Sequence, residues 1–326
     1  MGDLSGAISQ MAILIIIACM GFVSAKVGYI DADMRTKLTK ILVNITLPCM
    51  IVISANDLDA AAVQDSIPMA FLLAAIQFFL LLICGWLCNI ILRVPRNERA
   101  LYLFMATCTN SAFIGLPIIS SLYGGETVLF ASIFVMVLAF FMYSVGFAIL
   151  AGRGPIADSS QQRSVFSTCW LTIKALPWKS IANPSMLSCA LAIAMLLIGF
   201  KVPSVLADAM STMGAVTSPI AMMLVGSIVA DADISSMVKE PRMYPFILIR
   251  QLIVPIGLLF GLRALGISEP LVVVFVIMFA MPIGSMVSAF AEQFGRDSLL
   301  AAKGTVLSTT ASFLIVPILV AIMTIP

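Results

Sequence analysis

Thr107-Cys108-Thr109-Asn110-Ser111-Ala112-Phe113-Ile114-Gly115-Leu116-Pro117 lies at the centre of an otherwise apolar run, residues 99–122. The run has the roughly 20 residues a helix needs to cross a bilayer. Its middle nevertheless carries three consecutive polar side chains, with a proline six residues after Ser111. Lipid tolerates a helix break only where protein or a water-filled cavity satisfies the freed backbone groups. The stretch therefore predicts a membrane helix that is interrupted part-way along, next to something polar.

Working outward, nine more runs are long and apolar enough to span: about 7–29, 37–56, 67–92, 126–150, 180–200, 204–230, 243–264, 270–292 and 299–324. The composition agrees. The chain is 61% hydrophobic and 10% charged, against roughly 45–50% and about 25% in soluble domains, and its mean hydropathy is +1.13. The first run is preceded by no basic segment and shows no cleavage site, so it reads as a retained helix. A net charge of +2 with no basic patch excludes a nucleic-acid partner. The chain has no histidine, which removes the usual zinc and haem ligands, the Ser-His pair and a histidine relay. No metal site and no cofactor is expected. The seven cysteines and 21 methionines read as packing groups, with Cys84 and Cys88 on one helical face.

The basic residues set an orientation. With ten spans, 15 of the 18 lysines and arginines fall in one set of loops; Lys201 and Arg263 fall in the other, and Arg250 sits inside the eighth run. The positive-inside rule then puts both termini outside the cytoplasm. The longest connection, 151–179, reads as a cytoplasmic linker between a first five-helix half, 1–150, and a second, 180–326. An amphipathic piece around Trp170–Trp178 would lie on the membrane surface.

Five plus five helices place the halves in opposite orientations, the arrangement of inverted repeats. Three echoes support a repeat. Thr46-Leu47-Pro48 in the second run matches Thr217-Ser218-Pro219 in the seventh. Tyr123-Gly124-Gly125-Glu126 after the fourth matches Phe294-Gly295-Arg296-Asp297 after the ninth. Counting back from those glycines, Thr109-Asn110-Ser111 and Pro282-Ile283-Gly284-Ser285 fall at similar depth. At 1.5 Å per residue both lie roughly 20 Å from the membrane surface, near mid-bilayer.

Taken in order, these segments resemble the auxin efflux carrier family, which includes PIN-like carriers and bacterial organic-anion permeases. The resemblance spans nearly the whole chain. It rests on Ala25-Lys26-Val27-Gly28-Tyr29-Ile30-Asp31, on Leu38 to Pro48 ending Asn44-Ile45-Thr46-Leu47-Pro48, and on Thr109 through Pro117. It continues in Asn183-Pro184, Met281-Pro282 and Ala291-Glu292-Gln293-Phe294-Gly295. It implies an all-α membrane protein of ten helices in two inverted five-helix repeats, the fold of bile-acid sodium symporters. In that fold the fourth and ninth helices are broken and cross at mid-membrane, and one bundle moves against a scaffold in an elevator-like alternation of access. A homodimer is also implied. Two departures stand out: plant members carry proline where Thr109 stands, and the long plant cytoplasmic loop is absent. Auxin itself is therefore disfavoured as the solute.

The candidate substrate contacts follow from the broken helices. A half-helix start offers unpaired N–H groups that suit a carboxylate. Asn110 is the first candidate, with the alternative that it only caps its half-helix. Thr109, Ser111, Ser285 and Ser288 come next, with the alternative that they bond back to their own helices. Pro282 and Gly284 are expected to open the ninth helix through the backbone, and Pro117 to break or merely kink the fourth. Asn44 and Pro48 either line the site or join helices. Arg250 either snorkels to the surface or attracts the solute. Glu292 is expected to pair with Lys303 or Arg296, with a proton-coupling site as the alternative, and Gly257 and Gly261 to pack a helix closely, or to form a dimer contact. Asp231 and Asp233 read as solvated.

The function expected is a secondary carrier for a small organic anion, a mono- or dicarboxylate, in the cell membrane. The alternatives are a sodium- or proton-coupled symporter of a bile-acid-like or hormone-like acid and, more distantly, a non-transporting receptor or scaffold. An enzyme would need a clustered catalytic set, and a pump a phosphate-binding loop; neither pattern occurs.

Overall fold

The computed structural model describes residues 4–56, 58–59, 63–150, 184–230 and 240–324. The expected linker 151–179, with Trp170–Trp178, Asn183, Asp231 and Asp233, lies outside them. The described chain is helical throughout: α1 (Leu4–Val27), α2 (Ala32–Ser54), α3 (Ser66–Ile91), α4 (Arg99–Thr107), α5 (Ser111–Leu122), α6 (Gly125–Leu150), α7 (Pro184–Ile198), α8 (Ser204–Ala230), α9 (Met243–Ala264), α10 (Glu269–Ala280), α11 (Val287–Gln293) and α12 (Ser298–Met323). Among the described residues no strand forms, apart from one isolated antiparallel pairing of Thr109 with Ile283.

Seven helices are long and apolar enough to cross a membrane: α1, α2, α3, α6, α8, α9 and α12. The runs expected at 99–122 and 270–292 each fall into two short helices, because their centres unwind. The sixth run is described only from Pro184, as a helix of 15 residues. The apolar residues are not confined to the interior. α3 buries Phe78 and Leu81 yet exposes Leu72, Ile76, Phe79 and Ile83. A helix apolar on both faces needs a non-aqueous solvent outside as well as a packed core inside.

Prolines shape several of these helices. π-type turns at Leu42–Thr46, Ser111–Gly115 and Ile249–Ile253 each end two residues before a proline: Pro48, Pro117 and Pro255. Proline cannot donate a hydrogen bond to the carbonyl four residues back, and its ring collides with it. Widening the turn by one residue removes the collision and rotates the side chains that follow. The repeated Thr-x-Pro thus has a physical consequence. It accompanies a π turn ending at Thr46 in α2 and an interruption at Val216 within α8. The second echo is physical too. Gly124 and Gly295 both have positive φ, 61° and 65°, which glycine alone adopts without strain. Asp297 then caps α12, accepting the Leu300 N–H at 2.9 Å.

The helices pack in two groups. α1 lies along the second half of α8, while the end of α2 packs on α7 and on the start of α8. The α1–α8 seam brings backbones together: a Cβ on Gly226 would stand 1.8 Å from the Ala18 carbonyl oxygen, and one on Gly21 2.2 Å from that of Met223. In the second group α3 packs on α4 and α6, α6 and α9 on α10, and α11 on α12. The groups meet where α6 lies against α2 and α7, and α12 against α1.

Two expectations fail here. A Cβ on Gly257 or Gly261 would meet nothing within 4 Å, so this stripe packs closely on no helix among the described residues. Glu292 is exposed and makes no ion pair among the described residues. Lys303 instead pairs with Glu240 at 3.0 Å, and Arg296 Nε donates to the Leu150 carbonyl at 2.9 Å. The glycine turn at Gly295 carries Arg296 away from Glu292, toward the end of α6.

Candidate functional site

The two interruptions meet. α4 ends at Thr107 and α5 begins at Ser111; α10 ends at Ala280 and α11 begins at Val287. The unwound segments run antiparallel and bond to each other. Asn110 N–H donates to the Pro282 carbonyl at 2.8 Å, and Gly284 N–H donates to the Cys108 carbonyl at 2.8 Å. The contact is tight, since a Cβ on Gly284 would stand 3.0 Å from Cys108 Sγ and 3.3 Å from its carbonyl oxygen. Ile283 N–H finds its acceptor in Ser308 Oγ of α12 at 3.0 Å. Backbone groups freed deep in an apolar protein are thus re-paired locally.

The carbonyl ends of α4 and α10 have a different partner. Arg250 Nε donates to the Ala106 carbonyl at 2.9 Å and Nη1 to the Met281 carbonyl at 2.7 Å. The adjacent Gln251 Nε2 donates to the Ala280 carbonyl at 3.2 Å. Both side chains lie in the π turn that precedes Pro255, and each is 1% exposed. Arg250 therefore neither snorkels to the surface nor lines the open cavity described next. It grips both broken helices at once, with its positive charge at the negative ends of their dipoles.

A cavity of about 390 Å³ opens onto the crossing. Its floor is Thr109, Asn110 and Ser111 at the start of α5, with Gly284 and Ser285 beside them. The Asn110 side chain, 6% exposed, makes no capping hydrogen bond, so its amide is free for a ligand. Thr109 Oγ1 and Ser111 Oγ lie 2.5 Å apart and bond each other. One wall is apolar, built of Phe113, Leu138, Met142, Tyr143 and Phe290. Tyr143 and Phe290 belong to an edge-to-face aromatic cluster with Phe147, whose ring centroid is 4.8 Å from that of Phe290. At the mouth stand the exposed Lys40 and Asn44 of α2, where Asn44 Nδ2 donates to the Lys40 carbonyl at 2.8 Å. On the opposite side of α5, Ile114 and Ile118 pack against Met11, Leu14, Met222, Val225 and Val316, leaving about 20 Å³. That is space for one water at most.

A broken-helix crossing, half-helix dipoles and a cavity that opens onto them are the architecture of a membrane carrier. A family model described as membrane transport protein matches residues 7–320. The chain belongs to that family. It is the auxin efflux carrier family, and its members are membrane transporters. No curated protein matches the chain.

In this membrane transport protein six of the residues singled out from sequence share the cavity: Asn44, Thr109, Asn110, Ser111, Gly284 and Ser285. Four do not. Pro282 is buried behind the crossing and contributes its carbonyl. Ser288 sits in the first turn of α11, off the cavity wall. Pro48 follows the π turn of α2 without lining the cavity. Pro117 is buried in α5, and its carbonyl accepts a 3.1 Å hydrogen bond from Ser218 Oγ of α8. Residues that sequence reasoning passed over also take part. Lys40 had been counted only as a loop charge, although it lies one helical turn before Asn44. Gln251 and Ser308 are polar groups in apolar runs, and that was their one available signal.

Proposed function

We propose that this chain carries a small organic anion with a single carboxylate across the cell membrane by alternating access. The observation that carries the reading is the cavity floor. There the first N–H groups of a 12-residue helix and the free Asn110 amide face an open space, which suits an anion without a contacting buried lysine. One cation at the mouth and one donor floor match one carboxylate better than two. The wall of Phe113, Met142, Tyr143 and Phe290 suits the apolar body of the molecule.

The same reading extends to the whole architecture. Ten crossings form two inverted five-helix repeats, 1–150 and 180–326, joined by the linker 151–179, with both termini outside the cytoplasm. The cavity mouth at Lys40 then faces the cytoplasm, so this is the inward-open state. The group α1, α2, α7 and α8 acts as scaffold. The group holding the crossing slides past it as an elevator, and two such chains pair as the resemblance implies. Substrate contact falls to Asn110, with Thr109, Ser111 and Ser285 around it.

The test is uptake into liposomes of purified protein at about pH 8, where carboxylic acids are almost wholly ionised and the leak of the neutral acid is subtracted. Labelled benzoate, lactate and succinate are compared with protein-free liposomes. The reading predicts benzoate or lactate entry well above background and faster than succinate. Background rates for all three would defeat it, and a preference for succinate would reverse the one-carboxylate assignment.

A further inference from the structure

Arg250 and Gln251 do the same structural work side by side, but only one of them is charged. Gln251 holds the Ala280 carbonyl with a neutral amide, so capping a half-helix end here needs no charge. Burying a guanidinium costs several kcal/mol unless something compensates it. Among the described residues no carboxylate pairs with Arg250, and its Nη2, fully buried, has no hydrogen-bond partner. Arginine keeps its proton in proteins, so the crossing holds a fixed positive charge that helix dipoles ease but no ionised partner among the described residues neutralises. The charge lies close to the cavity: Arg250 Nε holds the Ala106 carbonyl, and the next two residues, Thr107 and Cys108, line that cavity. An anion on the cavity floor would stand close enough to offset that charge.

Resting on the carrier reading above, we propose that Arg250 is the charge the moving body carries through the membrane field. With a monocarboxylate bound, the guanidinium and the carboxylate cancel, and the body crosses neutral. Empty, it returns with a charge of plus one. Lys40 belongs to α2 in the other group and does not travel. The ionisable groups at the helix ends, such as Glu240 with Lys303 and Arg263 with Glu269, stay in the aqueous layer on their own side, where the field does little work on them. The voltage dependence of transport then resides in the return of the empty carrier. Loaded exchange is indifferent to voltage.

Two measurements on reconstituted protein test this. The first applies voltage steps to ligand-free protein in a planar bilayer and reads transient charge movement. The second compares net benzoate uptake with benzoate counterflow under imposed potassium-diffusion potentials. The expected results are charge movement in the ligand-free protein and loss of it in Arg250→Gln. Net uptake should change roughly sevenfold per 100 mV, half of one full charge acting on the barrier, while counterflow stays flat. Arg250→Lys keeps the charge and retains the charge movement. Counterflow as voltage-dependent as net uptake would overturn the proposal, as would charge movement that survives Arg250→Gln. The wild-type comparison alone decides if Arg250→Gln does not fold. Charge movement without any benzoate flux would sink the carrier reading and leave Arg250 standing as the group that senses the field.

Discussion

The two breaks that meet at the crossing reach the same geometry by opposite chemistry. The first, Thr109-Asn110-Ser111, unwinds with polar side chains that face the cavity. The second, Pro282-Ile283-Gly284, is buried and works through its backbone: a residue without N–H, a carbonyl for Asn110, and a glycine that lets Cys108 approach. Beyond the first break runs a helix of 12 residues; beyond the second, one of seven. A pair of broken helices can therefore divide its labour. One break presents groups to a ligand, and the other supplies the tight packing that holds those groups in place.

Substitutions can take the two breaks apart. The largest loss is expected from Arg250→Leu, which strands the carbonyls of Ala106 and Met281 and so loosens both breaks together. It should cost roughly 2–6 kcal/mol, read as a lower unfolding midpoint in detergent. Gly284→Val strikes only the second break. Its Cβ would stand 3.0 Å from Cys108 Sγ, and overpacking of this kind costs about 1–3 kcal/mol. Flux should fall with it even though Gly284 itself donates no side chain. Ser308→Ala removes the acceptor of the Ile283 N–H and should cost about 1 kcal/mol, the scale of one buried hydrogen bond. Ser288→Ala should leave both stability and uptake within measurement error. A strong loss of uptake there would place the Ser288 hydroxyl in the site after all.

Much of this was legible in the chain. Apolar runs mark the helices because lipid demands them, and breaks mark themselves because polar or Pro-Gly groups are costly in those runs. The echo at Gly124 and Gly295 was visible because a positive φ narrows the choice to glycine. The snorkelling alternative for Arg250 failed because a charge in an apolar run has two physical outcomes, and sequence alone does not distinguish them. Either the side chain reaches water or it finds internal partners. The partners here, Ala106 and Met281, are backbone carbonyls 144 and 31 residues away. A carbonyl leaves no mark in a sequence. Lys303 pairing with Glu240 was hidden for the same reason, since a contact made across 63 residues has no local signature. The glycines at 257 and 261 fit a packing motif by spacing, yet only the fold reveals that none of the described residues stands close opposite them.

The central claim is that the first break is the one that meets the solute, and Asn110→Ala tests it most directly. The Asn110 side chain makes no capping bond to α5, so its removal strands no helix-end group. Truncation should therefore change stability by less than about 0.5 kcal/mol. Carboxylate uptake should fall at least about tenfold, the loss of one good polar contact worth roughly 1.4 kcal/mol. Undiminished uptake by a normally folded Asn110→Ala protein would contradict the account.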